Sequence, residues 1–98
     1  MIVRWVHMHF KPEEVEQFIC LFDQSKDAIR QFPGCLSLRL LRDPVDSCSI
    51  QTLSRWESVD HLERYRNSPL FEETWAKTKV LFDRKPQALS YDILRELP

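Results

Sequence analysis

Glycine is nearly missing from the sequence, which has Gly34 as its only example among 98 residues. Loops that bind nucleotide phosphates, of the Walker or dinucleotide-binding type, need several glycines at fixed spacing so that the backbone can approach the phosphates. Internal repeats and low-complexity segments are missing as well. The sequence therefore contains none of the common nucleotide-cofactor motifs.

Paired cysteines and a long apolar run are also missing. Cys20, Cys35 and Cys48 are odd in number and form no CxxC pair, which favours reduced thiols over a disulfide framework. Charged residues such as Arg4 and Lys11 interrupt the N-terminal apolar segment, so neither a secretory signal nor a membrane span is predicted. The expected location is the cytoplasm, with no membrane as a partner.

Charge of one sign is not in excess. The chain has 14 basic and 15 acidic residues, and its cations are scattered instead of forming the basic stripe that binds phosphates. Nucleic acid is therefore not an expected partner. The length suits one domain, residues 1–98, and is small enough that a second subunit would add much to the core.

Hydrophobic periodicity predicts four strands. Alternating apolar residues mark them at residues 2–10, 35–42, 49–56 and 88–97. The turn DPVDS at residues 43–47 joins the second strand to the third, which makes these two strands a hairpin.

Apolar residues at helical spacing predict three helices. The first begins in KPEE at residues 11–14 and runs to about Gln31, before a Pro-Gly pair. Ser58 is the predicted N-cap of a short second helix. Ser68 is the predicted N-cap of the third, which continues toward Pro86. One face of this third helix carries Phe71, Trp75, Thr78 and Phe82.

The order strand, helix, strand, strand, helix pair, strand matches the ferredoxin-like split βαβ pattern. This is an α+β fold in which a four-stranded antiparallel sheet carries its helices on one face. The other face would expose Trp5, Leu41 and Leu53 as part of a large apolar patch. A second subunit is expected to cover this patch, so the protein is predicted to be a homodimer.

The stretch WVHMHF at residues 5–10 places two histidines in a buried strand. If the alternate apolar residues pack on the helices, His7, His9 and Trp5 face the opposite way, because strand side chains repeat with period two. A metal site would need a third ligand, and nothing in the sequence places a carboxylate beside the pair. Hydrogen-bonded packing at the dimer interface is favoured over metal binding or proton transfer, and no metal is predicted.

Three segments of the sequence together carry a family resemblance: FKPEEVEQF, FPGCLSLRLLRD and RWESVDHLERYRNSPLFEETW. In order and spacing they resemble the antibiotic biosynthesis monooxygenase domain family, whose members are small dimeric α+β barrels. The resemblance covers nearly the whole chain. It implies a ligand pocket between the sheet and the helices of each subunit. Some members of the family oxidise polycyclic phenols with dioxygen and without a cofactor.

The resemblance thus implies a cofactor-independent monooxygenase that acts on a small phenol or quinol. An electron-rich phenolate can itself donate an electron to dioxygen, so the protein has to orient it, exclude water and help to remove a proton. The alternative is that the same pocket binds a small apolar ligand without turnover.

Four aromatic residues are the candidates for binding such a ligand: Trp56, Tyr65, Phe71 and Trp75. His7, Tyr65 and Trp75 are the candidates for a catalytic role. The alternative for the aromatic residues is ordinary core packing, and for Trp56 a structural plug at a strand end.

A branch of the same superfamily degrades haem. It uses an asparagine on the first strand, a tryptophan in the region of the second helix, and a histidine ten residues later as the iron ligand. Here Tyr65 and Trp75 stand at the last two of these positions, and the first strand has no asparagine. Because tryptophan cannot bind iron as an axial ligand, haem degradation is not predicted.

Overall fold

The computed structural model describes the whole chain, residues 1–98, as a single sheet with three helices packed on it. Its strands are β1 (Ile2–His9), β2 (Cys35–Arg42), β3 (Ser49–Trp56) and β4 (Gln87–Asp92). Its α-helices are α1 (Val15–Arg30), α2 (Val59–Arg66) and α3 (Pro69–Lys79). The strands lie in the order β2-β3-β1-β4 with every neighbouring pair antiparallel, which confirms the predicted ferredoxin-like α+β fold. None of the helices has the length and hydrophobicity needed to cross a lipid bilayer.

The alternation of β1 separates the two faces of the sheet. Ile2 and Met8 are buried under the helices, and they pair across the sheet with the buried residues Trp56 and Ile50 of β3. The core consists of two clusters on this helix-facing side. The larger contains Met8, Phe10, Val15, Phe18, Phe22, Ile50 and Leu81, and the smaller contains Ile2, Cys35, Trp56 and Leu62.

The Pro-Gly pair between α1 and β2 is confirmed as a helix stop. Gly34 has a φ of 90°, in the left-handed region that side chains other than glycine rarely adopt. A Cβ at this position would also collide with the side chain of His61 on α2. Glycine is therefore required here both by the backbone conformation and by the close approach of α2.

Serine caps begin the two later helices, as predicted. The Ser58 hydroxyl accepts a hydrogen bond from the backbone N–H of His61 at 3.2 Å, and Ser68 accepts one from Phe71 at 3.2 Å. Each serine satisfies one of the donors that the first turn of a helix leaves free. The caps fix the start of α2 and α3, and hence which of their residues face the sheet.

The predicted end of the third helix is wrong, because α3 stops at Lys79 and does not continue toward Pro86. The following residues add to the end of β1 instead: Phe82 forms a β-bridge with Phe10, and the Asp83 N–H donates to the His9 carbonyl at 3.1 Å. Backbone pairing with β1 replaces further helical hydrogen bonds. Phe82 therefore lies outside the helix whose face it was predicted to share.

Two predicted strand ends are also too long. β1 ends at His9, and Phe10 lies outside the strand in an isolated bridge. β4 spans Gln87–Asp92 and does not reach Leu97. Its partner β1 begins at Ile2, and the Ile93 N–H makes one last hydrogen bond beyond the strand, to the Met1 carbonyl at 3.2 Å.

Candidate functional site

A cavity of about 280 Å³ lies between the helix-facing side of the sheet and the helices. Every strand and every α-helix contributes to its wall, and 13 of its 20 lining residues are hydrophobic. The volume lies just below the range of roughly 300 to 1,000 Å³ that is typical of sites for drug-sized molecules. The cavity therefore suits an apolar molecule of one or two rings.

A row of aromatic side chains forms one wall of the cavity. Tyr65 stacks on Trp56 with 5.0 Å between ring centroids, and Phe71 meets the Tyr65 ring edge-on at 5.3 Å. Trp75 then stacks on Phe71 at 5.8 Å. All four predicted ligand-binding residues line the cavity. Their role in binding stays a prediction, since each of them also packs against its neighbours.

Trp56 and Trp75 differ in burial. Trp56 has no exposed surface, and its indole N–H donates to the Ser54 hydroxyl at 2.9 Å. This satisfied, fully buried ring has the features of the structural plug that was the alternative for Trp56. Trp75 is only partly buried and packs against the edge of the larger core cluster. A ligand would therefore find more free surface on Trp75 than on Trp56.

Tyr65 is the one phenol on the cavity wall. Burial is the main cause that raises the pKa of Tyr65 to about 12, with a smaller contribution from Cys35. The hydroxyl stays protonated at neutral pH because its pKa lies far above that range. Tyr65 can therefore donate a hydrogen bond or a proton to a ligand, but it is not available as a base.

Arginine supplies the only charges on the cavity wall, from Arg4 of β1 and Arg66 of α2. Arg4 belongs to the helix-facing set of β1, and its Nη1 donates to the Ser90 hydroxyl at 3.0 Å. Burial, followed by the nearby charge of Arg66, lowers the pKa of Arg4, while Glu63 acts in the opposite direction. No carboxylate, histidine or lysine lines the cavity, so all of the charge on its wall is positive.

Neither arginine was a candidate from the sequence, although a signal for Arg4 was present. The even positions of β1 are apolar except for Arg4, and a charged residue in the buried period of a strand requires a partner or a ligand. Arg66 had no comparable signal, because charged residues are ordinary on the exposed side of a short helix.

The two histidines of β1 lie on the face of the sheet that carries no helices, away from the cavity. The Nε2 atom of His7 is 2.7 Å from the Ser49 hydroxyl, and its ring stacks on Trp5 with centroids 5.7 Å apart. His7 is thus not brought together with Tyr65 and Trp75, the other residues named for a catalytic role.

The expectation that no carboxylate lies beside these histidines is wrong. His9 is buried between two aspartates, with Nδ1 2.7 Å from Asp83 and Nε2 2.8 Å from Asp46. The aspartates come from the β2–β3 turn and from the segment after α3, which are distant from His9 in sequence. We call this cluster the His9 clamp.

Hydrogen bonds dominate the electrostatics of the His9 clamp. The bonds to Asp46 and Asp83 raise the pKa of His9, and the bond to His9 lowers the pKa of each aspartate. Both ring nitrogens are occupied by these bonds. No group of three or more His, Cys, Asp and Glu side chains in the structure could hold a metal ion. The His9 clamp is therefore a charged link that ties two loops to the end of β1.

Comparison with known proteins identifies a family. A sequence model described as antibiotic biosynthesis monooxygenase matches residues 1–77. This range contains every residue of the cavity wall except Thr78 and Ala88. No curated protein matches the chain.

Solved structures with the same fold cover almost all of the chain. A crystal structure of an antibiotic biosynthesis monooxygenase has a TM-score of 0.90 at 18% identity, with 97% of this chain and 100% of that chain covered. A protein from Mycobacterium tuberculosis has a TM-score of 0.90 at 21% identity, covering 99% and 98%. A conserved protein from Methanosarcina mazei has a TM-score of 0.87 at 20% identity, covering 93% and 91%. At these identities the likeness establishes the fold.

Proposed function

We propose, since this chain belongs to the antibiotic biosynthesis monooxygenase family, that it is a cofactor-independent monooxygenase acting on a small aromatic substrate. The proposed substrate is a phenol or quinol of one or two rings, and the oxidant is dioxygen. The observation that carries the proposal is the aromatic-walled cavity of about 280 Å³, most of whose wall falls within the matched residues.

The reaction needs no external reductant. A phenol with a free para position takes one oxygen atom of dioxygen as a new carbonyl group and becomes a quinone. The second oxygen atom leaves as water with the two hydrogens that the substrate loses, so the substrate supplies all the electrons. The protein's task is to hold the ring in one orientation, to exclude water and to assist proton transfer.

The side chains of the cavity suit these tasks. Phe71 and Trp75 offer flat apolar surfaces against which a ring can stack. Tyr65, protonated at neutral pH, is the proposed proton donor to the reduced oxygen species that forms during the reaction. His7 has no part in the proposal because it lies on the opposite face of the sheet.

Oxygen uptake with two-ring phenols, such as 1-naphthol and its ring-carboxylated derivatives, tests the function. We expect uptake above the rate of autoxidation, with one dioxygen consumed per quinone formed and no oxygen returned by added catalase. Stabilisation of the protein by these compounds without any uptake would instead identify a binding protein, the alternative reading of the cavity.

The two tyrosines of the chain provide a matched pair of variants. Tyr65→Phe should lower kcat by about 10²-fold, the lower end of what a positioned proton-transfer group contributes. Tyr91→Phe should leave kcat unchanged, because Tyr91 is exposed and lies outside the cavity. Equal kcat values for the two variants would show that the Tyr65 hydroxyl takes no part in the reaction.

We also propose that the protein acts as a homodimer. The face of the sheet without helices exposes large apolar side chains, with Leu41 40%, Leu89 46% and Tyr91 56% exposed. A second copy that covers this face would remove the patch from water without blocking the cavity on the other side. The proposed compartment is the cytoplasm, where free thiols such as the three of this chain persist.

A further inference from the structure

Arg4, which supplies positive charge to the cavity wall, lies in the middle of a row of three residues on neighbouring strands. Arg4 of β1 pairs in register with Ser54 of β3 on one side and with Ser90 of β4 on the other. Ser54 accepts the indole N–H of Trp56, so its own hydroxyl hydrogen is free to donate. Arg4, Ser54 and the protonated Tyr65 can therefore each donate a hydrogen bond to a ligand in a cavity whose wall is mostly apolar.

Most of the N–H donors of the Arg4 side chain have no hydrogen-bond partner within the chain. A guanidinium carries five N–H donors in a planar fork, and the bond from Nη1 to Ser90 is its one hydrogen bond to the rest of the chain. Its side chain lies on the helix-facing side of the sheet and forms no ion pair, unlike the exposed Arg66, whose Nη1 is 2.9 Å from Glu63. A partly buried guanidinium with free donors matches a planar oxyanion in shape and charge.

Arg66 marks the open side of the cavity. Arg66 and Ala88 of β4 both line the cavity and are both exposed, so the wall reaches the protein surface at these two residues. Its ion pair with Glu63 weakens the attraction of Arg66 for an anion but does not remove it, since both partners are partly exposed to water. Arg66 is the more exposed of the two cavity arginines, and Arg4 is the more buried.

We infer that the cavity selects aromatic anions, with Arg4 as the group that binds the acidic oxygen and Arg66 as the charge that attracts it to the opening. The ligand class is a one- or two-ring aromatic molecule that carries a carboxylate or a phenolate. The inference rests on the proposed function in that it names the charge of the proposed enzyme's substrate. A phenol bound as its phenolate is also the form that gives up an electron most readily, which suits a cavity without a carboxylate or histidine to act as base.

Equilibrium binding without dioxygen tests charge selection separately from turnover. The probes are 2-naphthoate and 2-naphthamide, which have nearly the same shape and differ in charge, measured by calorimetry at low salt. We expect naphthoate to bind about tenfold more tightly, or about 1.4 kcal/mol. The phenolate arm uses 4-nitrophenol at a slightly acidic pH, where binding should increase the visible absorbance of its phenolate.

Three variants locate the effect. Arg4→Met should abolish the preference for naphthoate while changing naphthamide binding by less than about threefold. Arg4→Lys keeps the charge and should keep part of the preference. Arg64→Met is the matched control, since Arg64 is an exposed arginine on the same helix as Arg66 but outside the cavity.

Each outcome decides the inference. A parent protein that binds both naphthalenes equally and does not shift 4-nitrophenol overturns it, as does one that binds no probe. If Arg4→Met weakens the binding of both probes equally, Arg4 has only a structural role. If Arg64→Met reduces the preference for naphthoate as much as Arg4→Met does, the preference comes from the general charge of the protein surface and not from the cavity. Oxygen uptake without charge preference would overturn this inference alone, whereas charge preference without uptake would overturn only the proposed reaction.

Discussion

At the scale of single residues, Gly34 combines two constraints that can be separated by experiment. Gly34→Ala should cost about 1 to 2 kcal/mol of unfolding free energy for its φ of 90°. A further loss of unfolding free energy should add to this backbone cost, because the new Cβ collides with the His61 side chain. Chemical denaturation of Gly34→Ala measures the sum.

The double variant with His61→Ala separates the two causes. When His61 is truncated, Gly34→Ala should cost only the backbone part, because the collision is removed. The same cost with and without the His61 side chain would mean that the close approach of α2 contributes nothing.

Trp75 and Trp56 should respond differently to truncation. Trp56→Ala should lower the free energy of unfolding by about 3 to 5 kcal/mol, because Trp56 has no exposed surface. Trp75→Ala should cost roughly 1 to 2 kcal/mol, since part of its ring faces the cavity and less packing is lost. Thermal unfolding with and without 2-naphthoate measures both effects.

Ligand stabilisation decides the role of Trp75. We expect Trp75→Ala to lose most of the stabilisation that 2-naphthoate gives the parent protein. A loss of about 4 kcal/mol in folding, as for a core residue, with ligand stabilisation unchanged, would return Trp75 to the core and leave it without a role in the site.

The His9 clamp should make stability depend on pH in two directions. The pKa of His9 is raised above its usual 6.5, so its contribution is complete below pH 6.5 and is lost as the pH rises through the raised value. The pKa values of Asp46 and Asp83 lie below their usual 3.8, so their contribution is complete above that pH and is lost on acidification. The clamp therefore stabilises most between about pH 4 and pH 6.5.

Melting temperatures across pH test the clamp. The difference between the parent and His9→Gln should be largest near pH 5 to 6 and should shrink toward pH 9. The Asp46→Asn, Asp83→Asn double variant should flatten the profile in the same way. Identical profiles for the parent and His9→Gln would show that the clamp has no net effect on folding.

At the scale of whole elements, local signals located the starts of α2 and α3 and the end of α1, but not the end of α3. Ser58 and Ser68 are recognisable caps because the chemistry of a cap involves residues within one turn of each other. The end of α3 depends on the pairing of Phe82 with Phe10, a contact between residues 72 positions apart. No local pattern contains that information, which explains why the helix was predicted to be too long.

The residues of the site also differ in whether a local sequence pattern could predict them. The row from Trp56 to Trp75 was predictable because helical spacing places Tyr65, Phe71 and Trp75 toward the sheet and the family resemblance places a pocket there. Arg4 was not predicted as a site residue, although it is the one charged residue among the apolar even positions of β1. The aspartates of the His9 clamp could not be predicted, since two turns far apart in sequence bring them to His9.

At the scale of the whole molecule, sedimentation should show a dimer. At micromolar concentration the mass should be about twice the 11.8 kDa of the chain. Leu53→Glu should yield monomers because it places a charge on the sheet face without helices, where Leu53 pairs with Trp5. Val59→Glu is the matched control, since Val59 is an exposed apolar residue on α2 and not on that face. A parent protein that sediments as a folded monomer would contradict the proposed dimer.

The exposure of β4 has a consequence for how the cavity is reached. All six of its side chains are exposed, and its backbone bonds to β1 hold it at the sheet edge. In native-state hydrogen exchange, the amides of β4 should exchange well before those of β3, which lies in the interior of the sheet. Because Ala88 of β4 lines the cavity, we expect local unfolding of this one strand to widen the opening while the core stays folded. Ligand entry would then need only the local opening of an edge strand, without a hinge or a lid.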